Sequence, residues 1–77
     1  MIYSPDAVAT IINLVISSHI GAIETVDIID FDVAWDIMFH VSAGENVEAI
    51  KAIYYRHPLI NLKAAHDAVK AVKAYLG

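Results

Sequence analysis

The chain contains no cysteine, and for a sequence of 77 residues this absence constrains the fold more than any other feature. Disulfide frameworks, thiolate zinc sites and thiol nucleophiles are excluded together, so packing alone must hold the core. A domain this small buries only about 60% of the surface that its unfolded chain exposes. The sequence therefore predicts a single domain, residues 1–77, with a dense core. Because thiols are absent, a reducing compartment is suitable, and we expect a cytoplasmic protein.

Hydrophobic residues are more frequent than in an ordinary globular chain. They make up 58% of the sequence, against roughly 45–50% in typical domains. One interpretation is a core rich in alanine and isoleucine. The other is an apolar surface patch that a partner or a second copy covers.

Membrane and targeting segments are not expected. No lysine or arginine precedes Lys51, so the amino end lacks the basic residues of a secretory signal or a transit peptide. The longest uncharged run, residues 7–23, has 17 residues and includes five polar ones. A spanning helix needs about 20 mostly apolar residues, so we expect no membrane partner.

The charges divide the chain into an acidic and a basic part. Residues 1–48 hold eight acids and no base, whereas residues 49–77 hold five bases and one acid. This division predicts two surfaces of opposite charge. The alternative is that the two parts neutralise each other within the fold.

The first predicted element is a helix from Pro5 to Ser18. Ser4 can cap it, Pro5 suits the first turn, and Asp6 complements the positive helix end. Apolar residues follow at helical spacing and form one stripe: Val8, Ile11, Ile12, Val15 and Ile16.

The middle of the chain predicts two strands. Residues alternate from Val33 to Val41, which is typical of a half-buried strand with its aromatic face inward. The inward set would be Val33, Trp35, Ile37, Phe39 and Val41. The second strand, Ile23–Ile29, is rich in β-branched residues, and Asp30-Phe31-Asp32 would form the hairpin turn between the two.

Two more helices are predicted after the strands. Asn46 can cap a helix over Val47–Arg56 that Pro58 terminates, and Asn61 can cap a helix over Leu62–Leu76. The apolar stripe of the last helix would be Leu62, Ala65, Val69, Val72 and Leu76, beside a basic stripe of Lys63, His66, Lys70 and Lys73.

The predicted fold class is therefore α+β, in the order α-β-β-α-α. Three helices would cover a small two-stranded antiparallel sheet. Because two strands alone are marginally stable, either the helices pack tightly on the sheet or another chain extends it by oligomerisation.

A family resemblance lies in the second half of the chain. Trp35-Asp36-Ile37-Met38-Phe39 is followed by the short loop Ser42-Ala43-Gly44, by a helix with Val47 and Ile50-Lys51-Ala52-Ile53, and by a helix that opens Leu62-Lys63-Ala64-Ala65. Over about residues 33–70 this order resembles the C-terminal domain of the bacterial ribosomal stalk protein, which recruits translation factors. The family continues into a further helix and strand. This chain instead begins with a helix and a strand, which is the order that a circular permutation of the family's domain would produce.

The resemblance implies a partner in the translation machinery. Val47, Ile50, Lys51 and Lys63 match the apolar and basic residues of the family's factor-binding surface. Asn46, Tyr54 and His66 stand where the family has basic residues.

Catalytic and metal chemistry find no support in the residue pattern. The four histidines, at positions 19, 40, 57 and 66, are not spaced as ligands, and the acids of residues 27–36 lack the glycine and terminal glutamate of a calcium loop. There is no glycine-rich phosphate loop, and Ser17-Ser18-His19 has no orienting acid. We expect no catalytic residue, no metal, no cofactor and no enzyme.

The sequence instead favours a non-catalytic protein–protein interaction module, or a small standalone regulator of the phage or mobile-element type. The expected partner-binding residues are Val47, Ile50, Lys51, Tyr55, Arg56, Lys63, His66 and Lys70. One alternative is a self-assembling structural subunit, such as a homodimer. The other is a nucleic-acid binder that uses the basic stripe, which a net charge of −4 disfavours.

Overall fold

The computed structural model describes residues 3–77, and this part of the chain is helical. The helices are α1 (Pro5–Ile20), α2 (Phe31–Ser42), α3 (Asn46–Tyr54) and α4 (Leu62–Leu76). No strand occurs within residues 3–77. The α+β prediction, with its two-stranded sheet, is therefore wrong.

Helix α1 begins where the sequence predicted. The Ser4 side chain accepts a hydrogen bond from the Ala7 amide, which confirms Ser4 as the N-cap. The helix ends at Ile20, two residues beyond the predicted end, and Gly21 follows it at φ 70°. A left-handed residue at this position is a common helix terminator because glycine has no Cβ to clash.

Helix α2 replaces the predicted strand over residues 33–41. The Asp30 side chain accepts a hydrogen bond of 3.0 Å from the Val33 amide, so the predicted hairpin turn is the start of a helix. Val33, Ile37 and Val41 are buried, as predicted, but Trp35 and Phe39 are exposed. The alternation did not distinguish a strand from a helix. Apolar residues at every second position also form two stripes with a spacing of four, which lie on opposite sides of a helix.

The second predicted strand, residues 23–29, is an irregular connection between α1 and α2. Its backbone binds polar side chains of α1 rather than a neighbouring strand. The Ser17 hydroxyl accepts a bond of 2.7 Å from the Val26 amide, and Asn13 binds Ile28 and Ile29. With no strand pairing, the structure does not contain the arrangement that a circular permutation requires.

The two C-terminal helices lie close to their predicted positions. Helix α4 has the predicted bounds, and the Asn61 side chain accepts a bond of 2.7 Å from the Ala64 amide, which confirms the cap. Helix α3 begins at Asn46, so the prediction of Asn46 as its cap is wrong. The cap position belongs to Glu45, whose side chain forms no capping bond, and the buried Oδ1 of Asn46 has no hydrogen-bond partner.

Helices α2 and α4 form the centre of the fold. They contact each other, and each also contacts both α1 and α3, whereas α1 and α3 do not contact each other. The core is one continuous cluster in which α4 contributes the small residues Ala64, Ala65 and Ala68. Small side chains allow close helix approach, so α4 can pack against three neighbours while its polar side remains in solvent.

None of the described helices combines the length and the apolar character that crossing a bilayer requires.

Candidate docking surface

Helix α3 buries a narrow face and leaves apolar residues outside. Ala49 and Ile53 are fully buried at a spacing of four. Val47 is 63% exposed and Ile50 is partly buried, so the outward side of α3 is apolar at its first turns. Apolar residues that a helix leaves exposed in this way are candidates for contact with a partner.

The connection from α3 to α4 fixes where α4 begins. Ile60 is 3% exposed and anchors this connection in the core. The His57 Nδ1 accepts a bond of 3.1 Å from the Leu59 amide, and the His57 carbonyl accepts one of 3.0 Å from the Ile60 amide. Asn61 then caps α4, which places Leu62 on the surface beside α3 rather than in the core.

An apolar groove lies between α3 and α4. Its volume is about 490 Å³. The residues that line it are Val47, Ile50, Lys51, Tyr54, Tyr55, Leu62 and His66. Two of these residues, Tyr54 and Tyr55, meet edge to face, with ring centroids 5.2 Å apart and an interplanar angle of 83°. We call this feature the α3–α4 groove.

Five of the eight predicted partner-binding residues line the α3–α4 groove: Val47, Ile50, Lys51, Tyr55 and His66. Arg56 instead lines a neighbouring groove between α2 and α3, which it shares with Lys51 and Tyr55. Lys63 and Lys70 are exposed on α4 but do not line either groove. The structure therefore brings five of the predicted residues together in one groove and leaves Arg56, Lys63 and Lys70 outside it.

The predicted partner-binding set omitted two groove residues, Tyr54 and Leu62. The sequence predicts Leu62 in the apolar stripe of the last helix, yet in the structure it is 63% exposed. The sequence signal for a groove position was its spacing from His66, a predicted partner-binding residue that follows four residues later on the same helix face. Leu62 and Val47 have equal exposed fractions, so each helix supplies one prominent aliphatic side chain to the groove.

The charged side chain that lines the groove, that of Lys51, is positive. His66 also lines it, and no aspartate or glutamate does. Within residues 3–77 the lysines and Arg56 form no ion pair. Asp67, the one acid of the basic part, binds His19 of α1 at 2.9 Å between Oδ2 and Nε2. The free bases are therefore available to an acidic partner.

The described residues contain no group of three or more histidine, aspartate or glutamate side chains that could hold a metal ion. Two of the four histidines bind carboxylates of different elements: His19 binds Asp67, whereas His40 Nδ1 binds Glu45 Oε1 at 2.9 Å.

Comparison of the chain with protein-family models, with curated proteins and with solved structures finds no match in any of the three. The segment Trp35-Asp36-Ile37-Met38-Phe39, which would be a strand in a stalk-like domain, is helical here. The resemblance to the stalk domain therefore depends on α3 and α4 alone.

Proposed function

We propose that the protein is a non-catalytic docking module that binds a partner protein in the α3–α4 groove. The observation that carries the proposal is the pairing of Val47 and Leu62, each 63% exposed, across a groove lined by Lys51 and His66. A partner that covers both aliphatic side chains removes their apolar area from water, and this burial favours binding. The partner is expected to present apolar side chains with acidic residues around them.

In the proposed docking mechanism, the apolar and the basic residues of the surface have different roles. Val47, Leu62 and the two tyrosines supply apolar contact area, and tyrosine is among the residues enriched at binding hot spots. Lys51 in the groove, with Arg56, Lys63 and Lys70 elsewhere in the basic part of the chain, steers an acidic partner and raises the rate of encounter. An amphipathic helix laid into the groove is the simplest ligand of this shape.

The resemblance of α3 and α4 to the stalk domain supports a translation factor as the partner, and a small regulator that captures such a factor in the cytoplasm is consistent with this proposal. A cysteine-free chain suits that compartment. No step of the proposed function needs a catalytic group or a cofactor.

Titration with a designed peptide tests the proposal. The peptide is an amphipathic helix with leucines at i, i+3, i+4 and i+7 and glutamates elsewhere. Binding is monitored through the amide chemical shifts of the labelled protein. We expect saturable shifts that concentrate on Val47, Tyr54 and Leu62. Shifts spread over α1, or no saturation at millimolar peptide, would refute a docking site in the groove.

Matched variants separate the contribution of the groove from that of overall charge. Val47→Ser with Leu62→Ser is expected to weaken binding by about tenfold or more, because two exposed apolar anchors are lost. Lys51→Glu should weaken binding more than Lys73→Glu, which makes the same charge change on α4 outside the groove. Equal effects of the two lysine variants would show that net charge, not the groove, drives binding.

A further inference from the structure

Helix α2 presents three aromatic side chains to solvent in one row. Phe31, Trp35 and Phe39 follow each other at a spacing of four and are 53%, 59% and 68% exposed. The rings of Phe31 and Trp35 are stacked, with centroids 6.5 Å apart and an interplanar angle of 13°. We call these three residues the aromatic ridge.

The aromatic ridge is not part of the core. At about 100° per residue, Trp35 lies about 200° around the helix from the fully buried Ile37. Each aromatic side chain can bury roughly 150–250 Å². More than half of the surface of each of the three residues is exposed to solvent. The ridge thus leaves roughly 270–450 Å² of mostly aromatic surface exposed, the size of a patch that is often functional on a small protein.

The ridge also contains a recess that could receive a side chain. A shallow cleft of about 290 Å³ is lined by Trp35, Met38, Phe39 and Ser42. None of these residues is charged. A protruding leucine or methionine of a partner could enter this cleft while the rest of the partner lies along the ridge.

Acidic side chains border the ridge on one side. Asp32 and Asp36 follow Phe31 and Trp35 on the next stripe of α2, and both are exposed. His40 continues the stripe and binds Glu45 at 2.9 Å. Across the groove between α2 and α3, Lys51 and Arg56 limit this acidic border.

The charges favour a basic partner over a second copy of the chain. Residues 1–48 contain eight acids and no base, and α2 lies entirely within them. Two copies joined ridge to ridge would bring these acidic parts together, and like charges brought together at an interface weaken it. We propose that the aromatic ridge docks a basic amphipathic helix of a partner protein, with apolar side chains on the ridge and lysines or arginines beside Asp32 and Asp36.

This second surface shares no residue with the α3–α4 groove and has the opposite charge preference. A protein with both surfaces could hold an acidic and a basic partner at the same time. The ridge proposal does not depend on the groove, and either surface could fail its test alone.

Trp35 makes the proposal directly measurable, because it is the single tryptophan of the chain and lies in the middle of the ridge. The probe is an amphipathic helical peptide of leucine and lysine. Two control peptides have the same composition in scrambled order and the same pattern with glutamate for lysine. We expect a saturable blue shift of tryptophan emission with the amphipathic basic peptide, and at least tenfold weaker binding of the scrambled peptide. The acidic peptide should leave the emission of Trp35 unchanged, because Trp35 does not line the α3–α4 groove.

Variants of the protein complete the test. Phe39→Ser retains the reporter and is expected to weaken binding at least tenfold. Asp32→Lys with Asp36→Lys should weaken it more than Asp27→Lys with Glu24→Lys, which makes the same charge change at exposed positions of the connection before α2.

The proposal is overturned by any of three results. The first is an unchanged emission spectrum at millimolar basic peptide. The second is equal binding of the amphipathic and scrambled peptides. The third is a dimer of the protein alone, seen by sedimentation at micromolar concentration and dissociated by Phe39→Ser, since the ridge would then belong to a second copy.

Discussion

The side chain of Asn13 satisfies both backbone groups of Ile29. Its Oδ1 accepts a hydrogen bond of 2.9 Å from the Ile29 amide, and its Nδ2 donates one of 3.1 Å to the Ile29 carbonyl. The same Oδ1 also accepts a bond of 3.0 Å from the Ile28 amide. Asn13 is 5% exposed and Ile29 is 1% exposed, so one buried amide holds the connection between α1 and α2 against the core.

Replacing Asn13 by leucine should therefore destabilise the fold strongly. The change leaves the Ile29 amide and carbonyl buried without partners, and each such group costs about 1–3 kcal/mol. We expect a loss of about 2–5 kcal/mol in the free energy of unfolding, measured by urea denaturation followed by circular dichroism.

Thr10→Ala is the matched control for Asn13→Leu. Thr10 lies on the same helix, and its exposed hydroxyl donates to the Asp6 carbonyl at 2.9 Å. Its loss should change the free energy of unfolding by about 0.5 kcal/mol or less, as is usual for exposed sites. Similar losses for the two variants would contradict the structural role assigned to Asn13.

Asn13 also shows why the sequence did not predict the fold of residues 22–30. A β-branched run such as Val26-Asp27-Ile28-Ile29 is typical of a strand, because its backbone groups usually pair with another strand. Here those backbone groups bind the side chains of Asn13 and Ser17 instead. Nothing local to residues 22–30 indicates that the partners lie on a helix 9 to 16 residues earlier.

The starts of α1 and α4 were predictable because a single capping side chain determines each of them. Ser4 and Asn61 cap their helices through local hydrogen bonds, and both were found from residue type and position alone. The groove was partly predictable because α3 and α4 are amphipathic. The outward position of Leu62 was not predictable, since it depends on how α4 packs against three other helices.

Residues Trp35 and Ile37 distinguish the helix from the strand that the alternation predicted. In a strand the two side chains would share the buried face. In helix α2, Ile37 is fully buried and Trp35 is 59% exposed. Ile37→Ala should cost about 2–5 kcal/mol in the free energy of unfolding, and Trp35→Ala about 1 kcal/mol or less.

Urea denaturation of these two variants measures the difference, with Phe39→Ala as a third case that should resemble Trp35→Ala because Phe39 is 68% exposed. Comparable losses for Trp35→Ala and Ile37→Ala would mean that both residues lie in the core, contrary to the helix.

Helix α4 packs through alanines, so added volume should disrupt it. Ala68 of α4 is fully buried in the core cluster. Ala68→Leu adds a bulky side chain to a filled core and should destabilise the protein by about 1–3 kcal/mol or more. Ala74→Leu makes the same change at an exposed position of the same helix and should be nearly neutral. Thermal unfolding of the pair tests this, and a tolerated leucine at position 68 would reveal unfilled space.

The N-termini of α2 and α3 differ in how they are capped, and this difference predicts two different outcomes. Asp30 accepts a bond of 3.0 Å from the Val33 amide, whereas Glu45 at the corresponding position of α3 makes no capping bond. Asp30→Ala should lower the free energy of unfolding by about 1 kcal/mol, since α2 loses its cap.

Glu45→Ala removes only the exposed contact with His40, which is worth at most about 1 kcal/mol and usually less. Installing a cap by Glu45→Ser is expected to be neutral or to stabilise α3, because the hydroxyl can accept from an amide of the first turn. Urea denaturation of all three variants gives the order. A larger loss for Glu45→Ala than for Asp30→Ala would show that Glu45 supports α3 through an interaction other than capping.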